Sequence, residues 1–482
     1  MTTFSPQTFK QLMHIKTNPH YLIAPQASTR PHNIHSLYYV LLLITYIIII
    51  YDDTPTFQIN YGLSITPQTK TTKITKERFC FMNIICKKDT LNDALTPALY
   101  AVSTKSTNQL IECFLLSADK ESGMLTVCGY DLEKGIKVTL SGENLSIIES
   151  GKIIVNAAKF SSVIRNLPEG SVSISSDDNF SVFISGGRSE FTLHGFDGES
   201  FPLLPELAGE QSFSISRKIL RNMIVSTHFA VAVNSSRPSL NGALFELKNN
   251  SLCIVAIDGS RLALRRSSEG VVSTDELDLS FIVPGKSLSE LLKLIGDEED
   301  NAEIELTKKH VVISFDNIVY FSRLIESEFI DYRRIIKNEP VTTVVLNTKS
   351  FAESVERASL ITDDKQKTTV RLKFEKREIN LENNENFGVL HISSTSAMGK
   401  SVDEFDIEIF GEELEIGFNH RYLLDALKAI REEKITLLLE SPMKSLIILP
   451  YREKGEGADQ AGDAEAPDFK YLYLVLPVRM KD

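Results

Sequence analysis

Cysteine is scarce and unpatterned. The five cysteines (Cys80, Cys86, Cys113, Cys128, Cys253) show no CxxC spacing and no histidine-rich neighbourhood. That excludes a disulfide scaffold and the common zinc sites, and predicts reduced thiols in a cytoplasmic protein. Four of the nine histidines lie in the first 81 residues, and none of the others has metal-ligand spacing. No nucleophile–base constellation stands out, and clustered carboxylates for a metal-dependent hydrolase are missing. Gly285-Lys286-Ser287 and Gly399-Lys400-Ser401 end like phosphate loops, but Ser280 and Ser394 stand where an upstream glycine is required. Asp177-Asp178 and Asp363-Asp364 read as turn acids. No cofactor, metal or catalysis is expected. Long apolar runs are also lacking: the longest, Leu37–Tyr51, has fifteen residues, where a spanning helix needs about 20. The Tyr-Asp-Asp-Thr-Pro that follows it is no signal-peptidase site. Bases are in deficit, 52 against 64 acids, which taken whole argues against a nucleic-acid partner.

What is present begins after residue 81. Residues 1–81 hold three acids against seven bases and are rich in Thr, Ile and Tyr, unlike the rest. They read as a weak membrane anchor, as an extra structured element, or as a segment outside the functional protein, with translation starting at Met82. The last is preferred because Met82 stands just before the first repeat, and no packed core is expected in 1–81. The 482 residues suffice for roughly three domains.

Leu288, Leu291, Leu292 and Ile295 have the i, i+3, i+4, i+7 spacing of a helix with one buried face. The template recurs at Phe160-Val163-Ile164-Leu167, Leu423-Ala426-Leu427-Ile430 and Leu91-Ala94-Leu95-Ala98. Weaker copies with a polar slot are Leu220-Met223-Ile224-Thr227 and Phe351-Ser354-Val355-Ala358. Leu91, Leu220 and Phe351 are 129 and 131 residues apart; Phe160, Leu288 and Leu423 are 128 and 135 apart. The chain is therefore an internal repeat: three units of about 130 residues, each made of two half-units with one helix.

The expected architecture is α+β: three tandem domains, 82–208, 209–337 and 338–482, each with antiparallel sheets and two helices. The first unit reads as strands at Asn83–Cys86, Glu112–Ser117, Met124–Tyr130, Lys137–Leu140, Lys152–Val155, Val172–Ser175, Ser181–Ser185 and Ser189–Leu193. Its first helix runs near Lys88–Ala101, with Pro97 an internal misfit of the kind that can kink a helix. Joints fall near Leu203–Glu210 and Lys337–Pro340. An acidic, Gly/Ala-rich tract, Glu453–Asp468, reads as a disordered loop between paired strands.

The charge is unevenly placed. The six helical windows hold 14 bases and 6 acids, a balance of +8. Residues 82–482 hold 45 bases and 61 acids, or −16, so everything outside the helices sums to −24. Charged helix faces are usually just solvated. The same bias on six repeats instead suggests one surface that attracts a polyanion loosely and without sequence preference.

Six stretches carry a resemblance: Gly129–Glu133, Leu167–Gly170, Ser239–Glu246, Ala256–Ala263, Phe329–Arg334 and Tyr473–Met480. In that order the chain from Met82 onward resembles the bacterial sliding clamps, the beta subunits of DNA polymerase III. The resemblance implies a ring of two chains head to tail, helices inside, encircling duplex DNA. It implies a non-catalytic processivity subunit that tethers the replicative polymerase and is opened by a clamp loader. It also implies a peptide-binding cleft lined by Leu240, Ile257, Gly259, Arg261, Leu262, Arg334, Ile335, Ser445, Leu474, Val475, Leu476, Pro477, Val478, Arg479 and Met480. Ser260 and Ile330 depart from the family's usual His and Pro. Its loop contacts to DNA fall on Lys105, Asn234 and Arg237, with Lys105 where Arg is usual. The helix cations expected to face DNA are Lys159, Arg165, Arg217, Lys218, Arg221, Lys286, Lys293, Lys349, Arg421 and Lys428. Rival readings are a DNA-processing hydrolase or nuclease, and a membrane-anchored scaffold resting on Leu37–Tyr51.

Overall fold

Each of the six periodic segments is a helix, and each follows a strand with at most one residue between. In the computed structural model, which describes residues 82–273, 277–362, 369–377, 386–452 and 470–480, Met82–Lys87 runs into α1 (Lys88–Ala98) and Gly151–Asn156 into α2 (Ala157–Asn166). Gln211–Ser216 leads to α3 (Arg217–His228) and Asp278–Pro284 to α4 (Gly285–Leu294). Thr342–Asn347 leads to α5 (Thr348–Ser359), and Leu414–Phe418 to α6 (His420–Lys428). The extension 1–81 with Leu37–Tyr51, Cys80, the pair Asp363-Asp364 and the acidic tract 453–468 lie outside the described residues.

The apolar spacing is what is buried. Leu288, Leu291 and Ile295 are at most 2% exposed, and only Leu292 of that set is half-buried. Each such side chain adds roughly 1.5–3 kcal/mol. The polar slots in the weaker copies are satisfied locally: Thr227 Oγ1 donates to Met223 O at 2.8 Å, and Ser354 Oγ accepts from Arg357 at 2.8 Å. Asn156, Asn347 and Asn419 cap α2, α5 and α6 by accepting from backbone N–H groups of the first turn. Pro97 stands one residue before the end of α1, where the helix passes into a 3-10 turn, Leu99–Ala101.

The helices pair as α1 with α2, α3 with α4 and α5 with α6. Among the described residues the strands form three antiparallel sheets of five, ten and twelve strands. The sheets do not stop at the joints. Lys134–Leu140 of the first unit pairs with Ile318–Arg323 of the second, Gly135 facing Phe321. Arg261–Arg265 of the second unit pairs with Tyr471–Val475 of the third. A Cβ on Gly135 would lie 2.1 Å from the Phe321 ring, so only glycine fits there. A strand at Leu145–Glu149, not expected from the sequence, pairs with Met82–Lys87.

The joined sheets have two faces. At the second seam, strand alternation sends Ala263, Tyr471, Tyr473 and Val475 into the large core that also holds the helix residues. Leu262, Leu264, Leu472 and Leu474 point the other way, into a separate apolar cluster. The first seam is alike: Ile136 and Tyr320 join the large core, while Tyr130 and Phe321 join a small outer cluster.

Candidate partner and nucleic-acid surfaces

Four residues expected in the cleft, Leu240, Ile257, Leu262 and Leu474, meet in the outer cluster of the second seam, although 234 positions separate the first from the last. They are 2–7% exposed. The linker segment that holds Phe329, Ile330 and Ile336 packs against the same cluster, and a four-residue helix, Tyr332–Ile335, follows Asp331. Glu246 anchors that helix: Tyr332 donates to it at 2.6 Å and Arg333 at 2.9 Å. Ile335 and Leu476 are 40% and 42% exposed, so apolar surface remains open above the buried floor. The tail continues across both units. Leu476 N–H donates to Ser260 O and Val478 N–H to Gly417 O, each at 2.8 Å. Met480 reaches toward Gly417. Pro477, Val478 and Met480 are half-buried and Arg479 exposed. Gly259, at φ +89°, turns the chain with open space where a Cβ would stand. Ser445 precedes the strand Leu446–Pro450.

Two cleft assignments need correction. Val475 does not share a face with Leu474; alternation puts its side chain in the helix-side core. Arg261 is not a free rim arginine. Its guanidinium bonds Asp258 at 2.9 Å, Asp425 on α6 and the carbonyl of Phe229 at 2.6 Å, and lies 4.6 Å from the Tyr422 ring centroid. It ties the second unit to the third. Arg334 is solvent-facing and paired to Asp331 at 2.9 Å.

The expected DNA cations fall into two sets. Lys159 and Arg165 on α2, Lys286 on α4 and Lys428 on α6 are exposed and make no ion pair among the described residues. Lys105, Asn234 and Arg237 are exposed on two loops. Lys105 and Asn234 are 129 positions apart, the same step as the helix repeat. Glu112 accepts from Ser106 N–H at 2.7 Å in the first loop, and Asn241 accepts from Ser235 N–H at 2.7 Å in the second. Arg421 is exposed, whereas Lys293 pairs with Glu290 at 2.8 Å and Lys349 lies 3.8 Å from Glu353.

Arg217 belongs to neither set. Its side chain is 5% exposed, and it holds Glu298, Asp300 and Asp316 at 2.8–2.9 Å. It is a buried structural cation, not a DNA contact. Lys218 and Arg221 face Glu299 at 2.9 Å and Asp297 at 3.5 Å. The run Asp297–Asp300 therefore neutralises the start of α3, which counting charges along the helix could not reveal.

Other chemistry is confined to structural roles. Ser287 of the false phosphate loop is buried against Ser322 at 2.8 Å, and Gly399-Lys400-Ser401 opens a strand rather than a helix. Asp177 accepts from Asn179 and Ser181 N–H groups, as a turn acid does. Burial pushes the Cys86 and Cys113 thiols up to about 11 and Cys128 to about 12, so little thiolate forms near neutrality. Among the described residues no three or more His, Cys, Asp or Glu gather as metal ligands, and no helix is long and apolar enough to cross a membrane.

Three tandem α+β units whose antiparallel sheets run on through both seams define a class of tandem-repeat α+β proteins. Known proteins place it further. Family models for the N-terminal, central and C-terminal domains of the DNA polymerase III beta subunit match residues 82–205, 214–331 and 333–456. The beta sliding clamp of Staphylococcus aureus strain Mu50 is 30% identical over 407 residues, 83% of this chain and 99% of that protein. That of Bacillus subtilis strain 168 is 29% identical over 374 residues, 76% of this chain and 95% of that protein. The solved B. subtilis DNA polymerase sliding clamp superposes with a TM-score of 0.75 at 28% identity, covering 83% of this chain and 100% of that one. A Pseudomonas aeruginosa sliding clamp solved with griselimycin gives 0.71 at 27%, covering 83% and 100%. The chain belongs to the beta sliding clamp family, the non-catalytic beta subunits of DNA polymerase III.

Proposed function

We propose that two copies of this chain close head to tail around duplex DNA in the cytoplasm, and that the ring tethers the replicative polymerase through the outer apolar cluster of the second seam. A clamp loader opens the ring, and other partners carrying a short apolar motif share the cleft. The observation that carries the DNA reading is the recurrence of exposed cations, without an ion pair among the described residues, on the second helix of every unit: Lys159 and Arg165, Lys286, and Lys428. Scattered point charges hold phosphates by counterion release without reading bases, which suits a protein that slides.

Closure by a second copy is supported by unpaired sheet edges. Among the described residues Ser189–His194 ends its sheet, with Phe191 41% exposed. Residues 399–407 pair on one side only among the described residues, with Val402 62% exposed. Exposed apolar edges of this kind are suited to pairing with another chain. The domains are taken as 82–208, 209–337 and 338–482, and a chain beginning at Met82 is expected to be fully active.

The test of closure is topological. The protein, loaded on nicked circular DNA, should stay bound through gel filtration and slip off after linearisation. Equal retention on both forms refutes a closed ring. For the cleft, Leu476→Ala with Met480→Ala should weaken a fluorescent motif peptide by at least tenfold, because two apolar anchors worth roughly 1–2 kcal/mol each are truncated. Unchanged affinity overturns the cleft assignment.

A further inference from the structure

The outer apolar cluster of the first seam is the counterpart of the cleft floor at the second, and a segment of the chain itself lies on it. Cys113, Cys128, Tyr130, Ile154, Val312 and Phe321 form this floor, from strands of both units. Leu204 and Leu207 of the joining segment are half-buried against it, whereas Leu203 is 93% exposed. The two seated leucines are three positions apart, in chain that is neither helix nor strand. The structure thus already shows an apolar segment of this spacing seated on the first seam.

That segment is fixed at its ends and hardly between them. Phe201 N–H donates to Gly198 O at 3.3 Å, and Gly209 N–H to the Glu305 carboxylate at 3.1 Å. Among the described residues no backbone hydrogen bond joins 202–208 to the rest of the chain, and Pro202 and Pro205 have no N–H to donate. The second joint is held differently: Ile325 N–H donates to Ile282 O at 3.0 Å, and Glu246 anchors Tyr332 and Arg333. A segment seated by two half-buried side chains and by no backbone hydrogen bond opens at low cost.

We infer that residues 202–208 are an internal ligand: the first seam is a second site for a short apolar peptide with leucines three apart, and the chain fills it with its own strap. The class of outside peptide rests on the cleft reading of the second seam; the covered site does not. A tethered occupant acts at an effective concentration of about millimolar. It therefore excludes a peptide with two apolar anchors at lower concentration, and yields to one that brings a further anchor. On this reading one chain offers one open peptide site and one closed one.

The probe is a synthetic peptide with the sequence of Pro202–Gly209, carrying a photoreactive leucine analogue in place of Leu207. It is added to the full chain at about millimolar concentration, and covalent labelling is mapped by mass spectrometry. Leu204→Ser with Leu207→Ser in the chain unseats the strap. That variant should be labelled on Cys113–Asp119 or Ile318–Arg323 at least tenfold more than wild type. The same peptide with Leu204→Ser should lose that labelling. Should the double variant not melt cooperatively, Leu207→Ala alone leaves Leu204 seated and should still be labelled there above wild type. No first-seam labelling in the uncovered chain, or equal labelling in variant and wild type, overturns the inference. Labelling of the second seam tests the cleft reading separately. Its loss with Leu476→Ala and Met480→Ala supports that cleft. Its absence beside first-seam labelling leaves the strap site standing and overturns the shared class of peptide.

Discussion

The two seams are built alike and finished differently. At each, a strand of one unit adds to the sheet of the next, and an apolar cluster forms on the face away from the helices. At the first seam the linker closes that cluster: Phe201 is 9% exposed, and Leu204 and Leu207 pack over it. At the second, the linker supplies Phe329 and Ile330 as walls, and Ile335 and Leu476 remain open. The first joint is a covered weld; the second is the same weld with its outer side left available. A partner surface on a repeat protein can therefore arise from an incomplete cover rather than from a new element.

If the first seam is a weld, filling it should be ruinous. Gly135→Val puts branched carbon where the Phe321 ring already lies 2.1 Å from an ideal Cβ. It should lower stability by about 3 kcal/mol, read by urea unfolding. Adding Phe321→Ala should recover part of that loss, because the clash and the cavity share one space. Simple additivity of the two changes would mean that the strands are not in this register.

The second seam should break more gently, through polar atoms. Arg261→Ala removes the bonds to Asp258, Asp425 and the Phe229 carbonyl together. Removing one partner of a buried pair costs about 3–5 kcal/mol. The Asp425 side chain is 41% exposed and regains water, so about 2 kcal/mol is expected here. Amide exchange should accelerate along Tyr471–Val475 and not along Lys134–Leu140. Uniform acceleration would erase the distinction between the seams.

How much of this could be read from the sequence follows from what is local. Helix faces were legible because an i, i+3, i+4, i+7 stripe is a local record of burial, and Leu288, Leu291 and Ile295 are buried as that stripe requires. The seams were not, because Lys134–Leu140 pairs with residues about 180 positions away and no local pattern names its partner. Arg217 was misread for the same reason: one of its carboxylates, Asp316, is 99 positions distant. Val475 was legible and overlooked, since a period of two forbids Leu474 and Val475 from one face. Leu240, Ile257, Leu262 and Leu474 were grouped by resemblance alone, and long-range strand pairing is what brings them together.

The smallest expected effect sharpens the contrast through pH. His310 pairs with Arg323 in the strand that makes the first seam, and its turn is held by Thr307. Burial, then the Arg323 charge, lowers its pKa below the ordinary 6.5; Lys309 acts in the same sense and Glu133 against it. The folded state then binds its proton less readily than the unfolded state. Stability is unaffected while both forms are neutral. It falls as pH drops through 6.5 and levels off below the folded pKa. Carboxylates with lowered pKa, such as Asp403 beside Arg357, are still ionised in that window. Their loss comes only at lower pH. His310→Gln should therefore flatten the fall in melting temperature between about pH 7 and 5 and leave the alkaline side unchanged. The second seam has no histidine in its paired strands, Arg261–Ser267 and Tyr471–Val475. Amide exchange at that seam should show the same pH dependence in variant and wild type. An undiminished acid slope in the variant would mean that the first seam does not resist protonation of His310.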